Sequence, residues 1–142
     1  MTVQVIDYKS SVPSSVAGGG VIAIPTGTPV QIADLGVYIT PSSARPNRVE
    51  LIATVGVRAL VGISDQVFYI LRDGVIIFTA QQSANAATAT DQTATVQTID
   101  FEVSNGFHVY TLQVQNVVAG TTSEVLGPIT FSALALGPVV GP

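Results

Sequence analysis

The side chains able to do chemistry are few, and each stands nearly alone. His108 is the only histidine in 142 residues, and cysteine and tryptophan are absent. Without cysteine there is no disulfide framework, thiolate metal site or cysteine nucleophile. A metal at His108 would have to recruit carboxylates, for which Asp100 and Glu102 lie across the Asn105-Gly106 turn. The plainer role for His108 is an alternating strand residue facing an interface or solvent. A sole histidine is also a candidate pH-sensitive element. Serine, histidine and aspartate are all present, but no G-x-S-x-G nucleophile elbow occurs. Gly18-Gly19-Gly20 leads into a strand, so it makes neither a dinucleotide fingerprint nor a Walker loop. There is no D-x-D-x-D-G calcium loop. Asp34, Asp65 and Asp73 fall in expected turns, where a turn role is the default. The expectation is a protein that is not an enzyme and holds no metal or cofactor.

Arg58 stands out because it lies in the middle of the most apolar segment. A buried arginine is costly unless paired. It is either an exposed edge residue or the cation of an ion pair with Asp100, Glu102 or Glu50 of its own or a neighbouring chain. Tyr38, Tyr69 and Tyr110, with Phe68, Phe78, Phe101, Phe107 and Phe131, read as core and sheet-packing residues. The alternative is an aromatic ligand platform.

The elements that must position these residues are strands. Apolar residues recur with period two, rich in Val, Ile and Thr, with Gly, Pro, Asn and Asp between the runs. Residues 2–8 make a short strand, and residues 10–20 (SSVPSSVAGGG) a flexible linker. A strand on a mobile tether can pair at home or on a neighbour. Further strands are expected at 21–24, 29–32, 37–39, 48–62, 67–71, 75–79, 93–103, 107–117, 125–127 and 129–136. Turns are expected at 34–36, 72–74 and 104–106, the last as a hairpin. Asp73-Gly74 is a strong hairpin signal. Residues 41–47 and 81–89 read as loops, and 137–142 as a tail. Strand 48–62 is apolar on much of both faces, unlike a strand with one face in water. Its second face should therefore meet something. This pattern predicts a single all-β antiparallel sandwich, a jelly roll or another Greek key. Residues 1–20 form an arm and linker, and 21–142 the jelly-roll domain.

Composition sets the partners. Charged residues are 10% of the chain, hydrophobic residues 47%, and the net charge is −4. Charged residues ordinarily make up about 25%. Lys9 is the only lysine, and the arginines are Arg45, Arg48, Arg58 and Arg72. No basic stripe exists, which argues against nucleic acid. A lone lysine argues against an anionic-membrane anchor, and no apolar run approaches the ~20 residues of a spanning helix. A chain with so few polar side chains to cover itself is expected to be covered by its own copies. The N-terminus lacks the cationic start and apolar block of a secretory signal. That leaves the cytoplasm, or an outer surface reached without the general export route.

Two stretches carry a family likeness. One is Arg48 to Arg58 (RVELIATVGVR) with the hairpin Phe68 to Gly74. The other is Ile99 to Val114 (IDFEVSNGFHVYTLQV) with the closing Gly127 to Ala133. Phe101, Val103, Gly106, Phe107, Val109 and Tyr110 fit its pattern of strand, glycine and aromatic strand. Over roughly residues 48–136 the chain resembles the small, cysteine-poor jelly-roll proteins of bacterial endospore surfaces. These in turn resemble the tumour necrosis factor and complement-head fold. The resemblance implies a homotrimer with a structural role in an exosporium layer, nap or appendage, and other spore-surface proteins as partners. The chain lacks the collagen-like stalk of many nap proteins and has a short arm instead. The expected role is a subunit whose homotrimers join through that arm into a fibre or layer. The alternatives are a trimeric head that binds a receptor or glycan, and a phage or virus surface protein. Val3, Val5, Ile6, Arg58, His108 and Tyr110 are the candidate intersubunit contacts.

Overall fold

A chain with period-two patterning and no capped helix has only strands with which to satisfy its main-chain polar groups. The computed structural model describes residues 2–19, 21–40, 46–88 and 90–139. Among them lie β1 (Val3–Ser14), β2 (Ile22–Ala23), β3 (Val30–Ile39), β4 (Arg48–Val61) and β5 (Ile63–Arg72). β6 (Val75–Asn85), β7 (Asp91–Phe101), β8 (Gly106–Asn116) and β9 (Thr122–Pro138) follow. No helix long and apolar enough to cross a membrane occurs among them.

Two sheets face each other. One has the order β1-β9-β4-β7, with β2 also on β9, and the other has the order β3-β8-β5-β6. All of these strand pairings are antiparallel. From β3 onward the chain changes sheet at every connection except the β5–β6 hairpin, which is the jelly-roll winding. The core lies between them. β4 contributes Val49, Leu51, Ala53, Val55 and Val57, and β9 contributes Ile129, Phe131, Ala133 and Ala135. Facing them are Phe68 and Ile70 of β5, Leu112 and Val114 of β8, and Val37 and Ile39 of β3. Each large aliphatic side chain fully buried here contributes about 1.5–3 kcal/mol.

Several local expectations are corrected. Residues 10–14 are strand, not linker: β1 runs to Ser14 and pairs with β9 of its own chain, Ser10 opposite Ser132. Asp34-Leu35-Gly36 makes no turn, because β3 runs straight through it opposite Thr111, Tyr110 and Val109. Gly36 is there for space: a Cβ at this position would fall 2.2 Å from the Phe107 ring. Residues 81–85 belong to β6, where Gln81 and Ser83 hydrogen-bond to Asp65 across the β5 pairing. Asn105-Gly106 closes no hairpin; it links β7 in one sheet to β8 in the other. Asn47 fixes that link by exchanging two hydrogen bonds with Val103, at 2.9 and 2.8 Å. The Asp73-Gly74 turn is as expected, with both residues at positive φ, 50° and 83°, the geometry of a two-residue hairpin loop. The expected 41–47 loop and 137–142 tail fall in part outside the described residues.

At Gly56 the backbone of β9 closes over β4. A Cβ there would lie 2.0 Å from the Gly127 carbonyl oxygen, and the β4–β9 register shifts between Val55 and Val57. The obstacle is backbone, which cannot rotate away as a side chain can. Gly56→Ala is therefore expected to lower stability by about 1–3 kcal/mol, read from the urea unfolding midpoint. A midpoint equal to that of the parent chain would show that the strands have room to part.

Candidate self-association surface

Residues directly opposite on antiparallel strands share a face, so the registers define what the β1-β9-β4-β7 sheet shows to the outside. The first row is Phe101, Arg48, Leu136 and Val5. The second is Ile99, Glu50, Leu134 and Tyr8, and the third is Gln97, Ile52, Ser132 and Ser10. Phe101 is 66% exposed and Val5 62%, and Tyr8, Ile52 and Ile99 are exposed beside them. Arg48 and Glu50 are the only charges in these three rows, and they are of opposite sign. The face continues at its end into a shallow pocket of about 150 Å3 lined by Val3, Asn47, Arg48, Phe101, Leu136 and Pro138, among others. An apolar patch rimmed by polar residues is the usual mark of an association site. Toward the far end the sheet turns to Thr95, Thr54 and Thr130. The outward positions of the other sheet carry more Thr and Gln: Thr111, Gln113 and Gln115 of β8, and Thr79 and Gln81 of β6.

The expected contact residues divide on this map. Val5 is on the apolar face, and Val3 lines its end pocket. Ile6 packs partly against the core. Arg58 lies at the far end of the sheet and is paired within its own chain. Its Nε donates to Asp91 at 2.7 Å, and its Nη1 is 4.0 Å from Glu124. Asp91 and Glu124 stand directly opposite it on β7 and β9. Asp100, Glu102 and Glu50 are thus not its partners, since strand register dictates which carboxylates it meets. The Asp91 hydrogen bond and charge hold the guanidinium more firmly protonated, and Arg58 in turn holds the Asp91 carboxyl below the usual carboxylate range.

Tyr110 and His108 leave the interface list. Tyr110 is fully buried in its own chain and donates its hydroxyl to Asp100 at 2.8 Å. Burial, then the Asp100 hydrogen bond, push its phenol far above its ordinary range. Arg72 reaches the same carboxylate with Nη1 at 2.6 and 2.5 Å. Asp100 belongs to one sheet and Arg72 and Tyr110 to the other, so this cluster ties the layers together.

His108 is buried beside it. Its Nδ1 is 2.6 Å from Asp73, and its Nε2 is 2.7 Å from the Ser104 carbonyl oxygen and 3.3 Å from Ser104 Oγ. Asp73 replaces Asp100 and Glu102 as the carboxylate beside this histidine. Serine, histidine and aspartate thus lie in line, as in a hydrolase triad. The close carbonyl changes the chemistry. A carbonyl only accepts, so Nε2 carries a proton aimed at it and offers no lone pair to the Ser104 hydroxyl. The arrangement is a clamp: Asp73 also accepts from Val109 N–H at 2.8 Å and donates its own N–H to Val109 O. It pins the β5–β6 turn onto β8. Sequence reasoning missed Asp73, Arg72 and Asn47. Asp73 was visible only as a turn residue, and nothing in the sequence pairs it with His108.

No family model matches the chain, and no curated protein matches it. Solved structures do resemble it. VP2 of an infectious bursal disease virus subviral particle matches 94% of this chain and 37% of its own, at 12% identity and a TM-score of 0.50. Dimeric latent PorU from Porphyromonas gingivalis matches over 93% of this chain and 13% of its own, at 8% identity and a TM-score of 0.49. Eiger TNF from S. frugiperda matches over 75% and 68%, at 12% identity and a TM-score of 0.39. The chain spans far less than two thirds of the first two proteins. At these identities likeness concerns fold alone, and the VP2 match agrees with the jelly-roll winding.

Partial burial raises the Asp73 carboxyl, but the His108 and Val109 hydrogen bonds and the neighbouring positive charges outweigh it, leaving the group below its ordinary 3.8. A carboxylate lowered by folding contributes stability above its unfolded value, and that stability is lost as pH falls through the folded value. Asp73→Ala is expected to cost about 1–2 kcal/mol at neutral pH. It should also remove part of the fall in thermal stability below about pH 4. An unchanged melting temperature across that range would mean the clamp is idle.

Proposed function

We propose that this chain is a structural subunit of a self-assembling bacterial surface layer or fibre, specifically that of an endospore, built of homotrimers joined through the N-terminal strand. The observation that carries the reading is the nearly uncharged, apolar outer face of the β1-β9-β4-β7 sheet. The charge-poor composition supports it, because copies with so little charge repel one another weakly. An interface of about 2,000 Å2, near 65% apolar, gives roughly 30 kcal/mol of gross stabilisation at ~25 cal/mol per Å2. Association and side-chain ordering remove much of that and still leave a favourable balance. Three-fold closure around this face, with a second contact that does not close, makes a polymer. The endospore assignment rests on the likeness carried by residues 48–136. The role has no catalytic step: the polar cluster serves to hold the two layers in one geometry, so that the face presented to neighbours is rigid.

Sedimentation velocity and negative-stain microscopy of the purified chain test the assembly. Trimers and larger polymers are expected at micromolar concentration, and a stable monomer would overturn the reading. Phe101→Glu places a charge on the exposed face without touching the core. It is expected to weaken self-association at least tenfold with the melting temperature of the dispersed chain unchanged. Antibody labelling of intact spores from the source cell tests the location, with label on the outer surface expected.

A further inference from the structure

β1 is bound to its sheet mainly by main-chain contacts, with the Asp7 carboxylate also accepting from the Tyr38 N–H of β3 at 2.9 Å. Of its twelve residues only Ser14 is buried, and Val3, Val5, Tyr8 and Val12 are exposed. Ile6 is its one large side chain packed against the core. Its register with β9 is interrupted between Val5 and Asp7 and again between Ser11 and Ser14. Detaching β1 breaks few side-chain contacts; its cost is the main-chain pairing along one edge, which another strand in the same place restores in full. What it leaves behind is different: one edge of β9, a row of main-chain donors and acceptors beside buried Ala133, Ala135 and Phe131. A bare edge of that kind recruits another strand.

The best replacement is an identical β1, because it restores every contact. The connection allows the exchange. Between Ser14 and β2 the chain turns through Gly18 and Gly19, held to the body by the Gly18 N–H bond to Leu126 O at 2.8 Å. The seven residues 15–21, drawn out at about 3.4 Å each, span about 24 Å. That exceeds the roughly 15 Å from the first to the last strand of a four-stranded sheet.

We infer that β1 is an exchangeable strand, and that the β9 edge of one copy receives the β1 of a second copy in the register seen within the single chain. This deepens the reading above: it rests on self-assembly and identifies the segment and the edge through which the N-terminal strand would join copies. A contact in which each copy gives its strand to the next is heterologous, so it propagates unless the rotation closes a ring.

The chain has no cysteine, so any disulfide comes from the introduced pair alone. Ser10 and Ser132 are opposite one another, and S10C/S132C places two thiols at a spacing that a disulfide accepts. Oxidised after assembly and run without reductant, the double variant is expected to give a ladder of covalent multimers. A single-chain product alone would overturn exchange. In a second arm, S10C and S132C chains are unfolded together, refolded and oxidised, with one species carrying a mass tag. A mixed disulfide between the two species is expected, and its absence would also overturn exchange. Sedimentation of the same samples separates the two ideas. Polymers with only intrachain disulfides refute exchange and leave self-assembly standing, whereas monomers with intrachain disulfides refute both.

Discussion

One strand must be satisfied along both edges for this molecule to exist as a sheet sandwich. β9 is seventeen residues long and carries β4 on one side and β1 and β2 on the other. Buried backbone groups without partners are too costly to persist, so the position of every other strand in that sheet follows from β9. Its inward residues Ile129, Phe131, Ala133 and Ala135 meet the facing sheet. The run of alanines there is small because β4 brings Leu51 and Val49 into the same layer. At Gly56 and Gly127 side chains give way to backbone, since a Cβ on Gly56 would meet the Gly127 carbonyl.

The scarce charges pair at home, some between the two layers and some on the exposed surface. Arg72 is bonded to Asp100, His108 to Asp73, Arg58 to Asp91, and Lys9 lies 3.7 Å from Asp7. Each pair is within one chain. Ionic groups committed at home are poorly placed to hold a neighbour. What the chain leaves uncommitted on the outer β1-β9-β4-β7 face is mainly apolar side chain, Phe101, Val5 and Tyr8 among it. The same commitment explains why the Ser104, His108 and Asp73 alignment is a brace: both ring nitrogens are engaged, one by the Asp73 carboxyl and one by the Ser104 carbonyl, and together they hold a turn.

Much of the fold was legible. The alternation at residues 48–59 names the inward face of β4, with Val49, Leu51, Ala53, Val55, Val57 and Ala59 all buried. The Asp73-Gly74 hairpin was readable because only residues tolerant of positive φ fit such a loop. Legibility failed where a local signal has two meanings. Glycine at 36 reads as a turn but makes room for Phe107. Asn105-Gly106 reads as a hairpin but carries the chain from one sheet to the other. The serines of residues 10–15 read as linker, although a strand at a sheet edge needs no apolar side chains when main-chain bonds hold it.

The sequence by itself determined an all-β chain, the identity of most core residues, and a composition poor in charge. Those depend on side-chain type and on a period of two, both local properties. Only the tertiary structure decided which carboxylate Arg58 meets, that Tyr110 is sealed in the core, and that His108 braces a turn. It also decided that Val5, Tyr8, Ile52, Ile99 and Phe101 share one face. Such pairings depend on strand order and register, which bring together residues far apart in the chain, and a shift of one residue would turn each of them to the opposite face.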